Sequence, residues 1–126
     1  MAKILVIDDD AKVRSEIVQI LTVAGHVVLD ADTGDEGLRL FAERDPDLVI
    51  TEVVMPSTDG LEIITELRRR AFQGPIVAIS GGDATRRAVY LRLARMIGAD
   101  DSLAKPFSAS ELIEAIERLR DRRERR

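Results

Sequence analysis

Five short apolar runs, each followed by a segment with the spacing of an amphipathic helix, constrain the fold of this 126-residue chain more than any other feature. The runs lie at residues 4–7, 27–29, 48–50 and 76–79 and around Leu103. Strands that alternate with helices along a chain favour a parallel sheet with helices packed on both of its faces. The sequence therefore predicts an α/β protein.

Spacing and capping signals place a helix after each run. The predicted helices span about 11–24, 33–44, roughly 61–71, about 85–97 and from 108 onward. Thr33 with Glu36 and Ser108 with Glu111 have the pattern of capping boxes, and Gly25 provides a left-handed stop after the first helix. Five strands and five helices in this order favour a flavodoxin-like, doubly wound parallel sheet with the strand order 2-1-3-4-5.

Length and composition limit the classes of function. The length fits one domain, which we place at residues 1–126. Aromatic residues make up only 3% of the chain, so no base-stacking surface is expected and we predict no direct nucleic-acid binding. The absence of cysteine excludes thiol chemistry, and no apolar run is long enough for a membrane span. We expect a cytoplasmic protein without a membrane partner.

The net charge of -4 is unevenly distributed. Residues 118–126 contain six Arg against Asp121 and Glu124, a local charge of +4, which leaves residues 1–117 at -8. A basic end can attract nucleic acid or anionic lipid. Acidic residues interrupt this one, however, and no apolar face continues past Leu119. We interpret it as a charged, solvated end of the last helix.

Polar residues follow four of the predicted strands. Asp8 and Asp9 come after the first strand, Glu52 after the third, Ser80 after the fourth and Lys105 after the fifth. In a doubly wound sheet, ligands bind beyond these carboxyl ends, where the strand order reverses. Three neighbouring carboxylates repel one another unless a cation is bound, and Mg²⁺ is a hard ion that prefers such oxygen ligands. Asp10 is expected to cap the first helix instead.

These residues resemble the acidic pocket of a response-regulator receiver domain of the chemotaxis-regulator-like kind. The motifs are the aspartates at 8–10, the segment DLVITEVVMPSTDG at 47–60, Ser80, and Lys105 followed by Pro106. The resemblance covers nearly the whole chain. It implies a signal-transduction module of a two-component phosphorelay that acts by protein–protein interaction and is not an enzyme.

The resemblance also implies roles for individual residues. Mg²⁺ is expected at Asp8, Asp9, the side chain at position 52 and the backbone carbonyl of Val54. The Ser80 hydroxyl and the Lys105 ammonium are expected to contact a phosphoryl group, as phosphoryl transfer requires. The family often has a cis bond between the residues that match Lys105 and Pro106.

Two positions depart from the family pattern. The family has a phosphoacceptor aspartate where this chain has Glu52, whose carboxylate lies about 1.5 Å further from the backbone. A misplacement of about 1 Å can cost on the order of 100-fold in rate. We therefore predict a phosphorylation-impaired or phosphomimetic domain in which Glu52 reaches Lys105 and Ser80 and Mg²⁺ binds weakly. At the switch position, where the family usually has Tyr or Phe, this chain has Ser102. The serine side chain is too small to occupy the space of an aromatic ring.

The family commonly binds partners through the fourth helix and fifth strand. The resemblance thus implies that a histidine kinase or a downstream signalling protein docks on this face, and that the chain is a monomer or a weak homodimer. The residues on this face are Arg86, Arg87, Tyr90, Arg92 and Arg95. A basic helix that is merely solvated remains the alternative.

Two other functions fit parts of the sequence. A Mg²⁺-dependent phosphohydrolase of the haloacid-dehalogenase type also begins with a strand and Asp-x-Asp, but it requires Thr or Val where this chain has Lys12. A flavodoxin-like FMN carrier requires a phosphate-binding loop after the first strand, where three aspartates would repel the phosphate. Turnover of a phosphate ester or bound flavin would identify either one.

Overall fold

A computed structural model describes residues 1–56 and 59–124, with side chains up to residue 122 in the last helix. The strands are β1 (Lys3–Ile7), β2 (Val27–Ala31), β3 (Leu48–Glu52), β4 (Ile76–Ser80) and β5 (Asp101–Ala104). The helices are α1 (Ala11–Val23), α2 (Gly34–Arg44), α3 (Gly60–Arg69), α4 (Ala84–Ile97) and α5 (Ala109–Glu124). All strand pairs are parallel and the order is β2-β1-β3-β4-β5, so the predicted flavodoxin-like topology is confirmed.

Local signals account for the helix ends. Asp10 caps α1 by accepting hydrogen bonds from the amides of Lys12 and Val13, as predicted. Ser108 and Glu111 form a reciprocal capping box at the start of α5. At α2 only half of the predicted box forms. Thr33 accepts from the Glu36 amide, while the Glu36 carboxylate pairs with Arg39, whose guanidinium is a stronger partner than a backbone amide.

The alternation of side chains along the strands produces a separate core on each face of the sheet. Leu5 and Ile7 point to the face covered by α2, α3 and α4, whereas Ile4 and Val6 point to the face covered by α1 and α5. Both cores are mainly aliphatic, as the composition predicts.

His26 lies at the amino-terminal ends of β1 and β2. Its Nδ1 accepts a hydrogen bond from the backbone amide of Ala2 at 3.1 Å, and its Nε2 lies 3.8 Å from a carboxylate oxygen of Glu117. Burial, followed by the nearby Arg120, lowers the pKa of His26, so the folded chain favours the neutral imidazole. The single histidine thus has a packing role here.

The described part of α5 extends to Glu124, so the charged end predicted at 118–126 is helical up to that residue. Arg118 pairs with Asp101 of β5. Residues 125 and 126, and the side chains of 123 and 124, lie outside the described residues. Within 1–56 and 59–124, none of the helices has the length and apolar character needed to cross a bilayer.

Candidate functional site

The register of the sheet brings distant polar residues to one rim. Glu52 pairs with Ile79 and Ser80 with Ala104, so the ends of β3, β4 and β5 lie side by side. Backbone hydrogen bonds continue past the strands, since the Asp8 amide donates to Ala31, the Val53 amide to Ile79 and the Lys105 amide to Ser80, at 3.1, 2.9 and 2.7 Å. The sheet itself therefore positions the residues predicted from the sequence.

Lys105 lies between two buried carboxylates. Its Nζ is 2.7 Å from Oε2 of Glu52 and 2.9 Å from Oδ2 of Asp8. Asp8 is fully buried and Glu52 nearly so. Both distances are short enough for charge-assisted contacts between an ammonium and a carboxylate. One ammonium group thus compensates two carboxylates, and we call this arrangement the Lys105 triad.

Burial and charge act against each other within the triad. Burial raises the pKa of Glu52, and the neighbouring Asp8 adds to that effect, while Lys105 opposes it. Burial by itself lowers the pKa of Lys105, but the contacts with Glu52 and Asp8 outweigh it, so the pKa of Lys105 is raised. The lysine is therefore held as a cation.

The first turn of α1 fixes the orientation of Asp8. Its Oδ1 accepts the amide of Asp10 at 2.9 Å, and its backbone carbonyl accepts Nη1 of Arg14 at 2.7 Å. Arg14 also pairs with Asp30 in β2. Sequence reasoning missed Arg14, although its place one turn into α1 was a usable signal. Asp9, by contrast, is exposed.

The residues predicted to hold Mg²⁺ do not converge on one point. Across the part of the chain that the structure describes, no three acidic or histidine side chains are arranged to hold a metal ion. Asp8 and Glu52 each direct one oxygen toward Lys105, and the other oxygen of Glu52 accepts the Val54 amide at 3.3 Å. In this arrangement the Lys105 ammonium compensates both carboxylates, so a metal ion would have to compete with it for them.

Ser80 lies at the same rim but makes no hydrogen bond with Glu52. The residue is fully buried, and among the described residues its Oγ has no hydrogen-bond partner. Buried hydroxyls in folded proteins normally have a partner, which is often water. Of the two contacts expected of Glu52, the structure contains the one with Lys105 and lacks a hydrogen bond with Ser80.

Gly60, at the start of α3, lies close to the backbone of Glu52. A Cβ atom at Gly60 would lie 2.1 Å from the Glu52 carbonyl oxygen, far inside any allowed contact. The Gly60 amide donates to the Val53 carbonyl at 2.8 Å, which fixes the start of α3 against the strand end. Only glycine permits this approach. The bond between Lys105 and Pro106 is cis, as the corresponding bond often is in the family that the sequence resembles.

The five residues predicted as a partner surface do not share one face. At about 100° per residue, Arg86 and Arg95 lie about 180° apart around α4. Tyr90 is half-buried in the core beneath the helix. Arg87 is also half-buried and directs Nη1 toward the carbonyls of Gly82 and Lys105, at 3.3 and 3.5 Å. Arg87 therefore joins α4 to the rim, a role that sequence reasoning missed.

Ser102, the predicted switch residue, lies in the middle of β5 and pairs with Ala78. It is half-buried, and its amide donates to the Asp101 carboxylate at 2.8 Å. Its side chain is too short to reach the rim two residues further along the strand.

Comparison with known proteins identifies the family of the chain. The family model of the response regulator receiver domain matches residues 4–117 of this chain. The response regulator MprA of Mycobacterium sp. (strain KMS) is 40% identical over 112 residues, which are 88% of this chain and 47% of that protein. A probable transcriptional regulator, ycf27 of Guillardia theta, is 37% identical over 87% of this chain and 42% of its own length. The chain thus spans about half the length of these relatives.

A solved structure is similar over its whole length. The crystal structure of a response regulator receiver domain protein from Clostridium thermocellum superposes with a TM-score of 0.87 at 34% identity, and 98% of each chain is covered. This likeness favours a signalling domain over the phosphohydrolase and the FMN carrier. The topology, the polar rim and the sequence matches agree, and the chain belongs to the response regulator receiver domain family of two-component signalling.

Proposed function

We propose that this chain is a receiver domain whose rim is set by its own Glu52 instead of by a phosphoryl group. The observation that supports the proposal is the 2.7 Å contact between Glu52 Oε2 and Lys105 Nζ. If Glu52 stands at the phosphoacceptor position, its carboxylate already contacts Lys105, the residue that would otherwise bind a phosphoryl oxygen. The mimicry is partial, because a carboxylate has one charge and two oxygens where a phosphoryl group has about two charges and three oxygens.

Response regulators act through kinases and downstream effector proteins, and receiver domains are signalling domains. For this chain we propose that such a partner contacts the side of α4 that faces away from α3. Arg92 and Arg95 are exposed there. Arg87 links the same helix to the carbonyl of Lys105, so a change in the triad can be transmitted to α4 through contacting groups.

Receiver domains generally bind Mg²⁺ at the phosphorylation site. Here we propose that the ion binds weakly, because it must displace Lys105 from Asp8 and Glu52. A ligand present at its dissociation constant stabilises the folded state by about 0.4 kcal/mol, which corresponds to a rise in Tm of about 2 °C for a domain of this size. We expect a rise no larger than this in thermal melts with millimolar MgCl2.

The variant Asp9→Asn tests the origin of that rise. Asp9 is exposed and caps no helix, so its replacement should leave the fold intact and remove the Mg²⁺ effect. A rise well above 5 °C would show that a strong ion site forms despite Lys105. A rise that persists unchanged in Asp9→Asn would place the ion elsewhere.

The variant Glu52→Gln tests the proposed function itself. It removes the charge that holds Lys105 while nearly preserving the shape of the side chain, so it should shift the population of rim conformations. We expect backbone amide chemical shifts to change at residues 80–90 and 102–105, in addition to the immediate neighbours of position 52. Two-dimensional amide spectra of both proteins measure this.

Glu16→Gln is the matched control, because Glu16 lies exposed on α1 and the substitution changes the net charge by the same amount. Its spectrum should differ only around residue 16. If Glu52→Gln likewise perturbs only residues in contact with position 52, then Glu52 does not set the rim and the proposal is wrong.

A further inference from the structure

His26 makes a contact that depends on its protonation state and that the proposed function does not use. Its side chain is 4% exposed, and its Nδ1 accepts a hydrogen bond from the backbone amide of Ala2 at 3.1 Å. A ring nitrogen accepts only when it carries no hydrogen, so the imidazole in this contact is neutral and its hydrogen is on Nε2. We call this hydrogen bond the His26 contact.

The His26 contact holds the residue that begins the sheet. Ala2 is buried and belongs to the same core as Leu21 of α1 and Ile116 of α5. Its carbonyl accepts the amide of Val27 at 2.9 Å, which extends the pairing of β1 and β2 by one residue. A buried amide that loses its acceptor costs free energy, so Ala2 has to move when the His26 contact breaks.

Among the described residues, three charged groups act on the imidazole, and two of them are cations. Glu117 on α5 places Oε1 at 3.8 Å from Nε2, which is too far for a hydrogen bond. The same oxygen lies 3.5 Å from Nη1 of Arg120, so it is already paired with a cation. The third group is the terminal ammonium of Met1. A proton on the ring therefore meets two cations and only one carboxylate, which is shared.

These surroundings disfavour the imidazolium. Burial lowers the pKa of His26 most, Arg120 lowers it further, Glu117 opposes both, and the terminal ammonium adds to the lowering. In the unfolded chain a histidine has a pKa of about 6.5. As the pH falls, the unfolded state thus takes up the proton first. The stability that depends on the neutral ring is present above about pH 6.5 and is lost between that pH and the lower pKa of the folded chain.

We propose that His26 is an acid-sensitive switch that releases Ala2 from the start of the sheet when the imidazole gains a proton. The proton binds to Nδ1, the atom that accepts the Ala2 amide, so two N–H groups then point at each other across a contact of 3.1 Å. Ala2 leaves its place in the core, and the packing of α5 beside it changes. The switch lies at the opposite ends of the strands from the rim and does not depend on Glu52.

A titration of the whole chain tests the switch. The sequence contains one histidine, so the ring signal in NMR spectra belongs to His26. Between about pH 8 and pH 4, we expect the ring to titrate with a midpoint below about 6.5. The amide signals of Ala2, Val27 and residues 116–120 should shift with the same midpoint. In urea, the unfolding equilibrium constant should rise on acidification, in full by about tenfold for each pH unit that separates the midpoint from the unfolded value.

His26→Asn is the matched control. The Oδ1 atom of asparagine stands in the place of Nδ1 and accepts the Ala2 amide, but it gains no proton in this pH range. The shift of the Ala2 amide should therefore be absent. Carboxylates titrate in both proteins, including Glu52, whose pKa is raised by burial, so the difference between the two titrations isolates His26. Circular dichroism checks that the variant is folded.

Two further variants keep the histidine and change its charged neighbours. Arg120→Met removes a cation and should raise the midpoint of His26, whereas Glu117→Gln removes the carboxylate and should lower it. In each variant the transition of the Ala2 amide should move with the ring. These variants decide the question even if His26→Asn does not fold.

Three outcomes would overturn the inference. The first is a ring midpoint at or above about 6.5, or a ring that stays neutral to the acid end of the titration. The second is an Ala2 amide that does not follow the ring, which would leave His26 as a packing residue only. The third is the same Ala2 transition in His26→Asn. None of them bears on Glu52, so the proposed function is judged separately.

Discussion

Incubated with acetyl phosphate and Mg²⁺, the chain is expected to keep its mass, whereas Glu52→Asp is expected to gain one labile phosphoryl group. In the variant an aspartate oxygen bonds to phosphorus and acetate leaves. In the native chain the Glu52 carboxylate lies about 1.5 Å, one carbon–carbon bond, further from the backbone than an aspartate carboxylate would. Misplacement on this scale costs on the order of 100-fold in the rate of phosphoryl transfer. The Oε2 atom of Glu52 is also held 2.7 Å from Lys105. Intact-protein mass spectrometry reads out the result.

Two control variants test which residues the phosphorylation depends on. The double variant Glu52→Asp with Asp9→Asn should stay unmodified if Asp9 contributes to the reaction, and Glu62→Asp should behave like the native chain because Glu62 is exposed on α3. A phosphorylated native chain would show that Glu52 is a competent acceptor and would end the phosphomimetic proposal. An unmodified Glu52→Asp variant would show that other parts of the rim also prevent the reaction.

Lys105→Met is expected to lower the free energy of unfolding by about 3 kcal/mol. The substitution keeps the length of the side chain but leaves Asp8 and Glu52 as two buried carboxylates without a cation. Removing one member of a buried ion pair typically costs about 3–5 kcal/mol, and we take the lower end because the Lys105 side chain is 17% exposed. Urea unfolding at neutral pH measures the loss.

The same experiment on related variants isolates the triad. Lys12→Met is the matched control, since Lys12 is exposed on α1, and it should change stability by less than about 0.5 kcal/mol. Lys105→Met combined with Glu52→Gln should lose less than Lys105→Met alone, because only one buried carboxylate is then uncompensated. A loss below about 1 kcal/mol for Lys105→Met would mean that the triad contacts contribute little to folding.

Much of the fold was predictable because its determinants are local. The period of the apolar residues fixes strands and helices, and the capping residues Asp10, Thr33 and Ser108 fix where three helices begin. The helix ends agree with the structure to within one or two residues. Parallel strands joined by helices then leave few possible topologies, since crossover connections are right-handed.

The candidate site was predictable only as a set of residues. That Asp8, Glu52, Ser80 and Lys105 share a rim follows from their places after strands of one parallel sheet. That Lys105 contacts both carboxylates while the Ser80 hydroxyl hydrogen-bonds to neither does not follow, because each interaction depends on side-chain directions and burial across four strands. The role of Arg87 was hidden for the same reason, since a helical arginine appears in sequence as a surface charge.

The sequence by itself determined the order of strands and helices and the family, because these depend on periodicity and residue identity alone. Only the tertiary structure decided which charges are paired and which apolar residues stay exposed. Val89, Leu93 and Ile97 have the spacing of a core face, yet α4 turns Ala94 to the sheet instead. The rotation of a helix about its axis is set by the shape of the surface beneath it, and a single helix does not encode that shape.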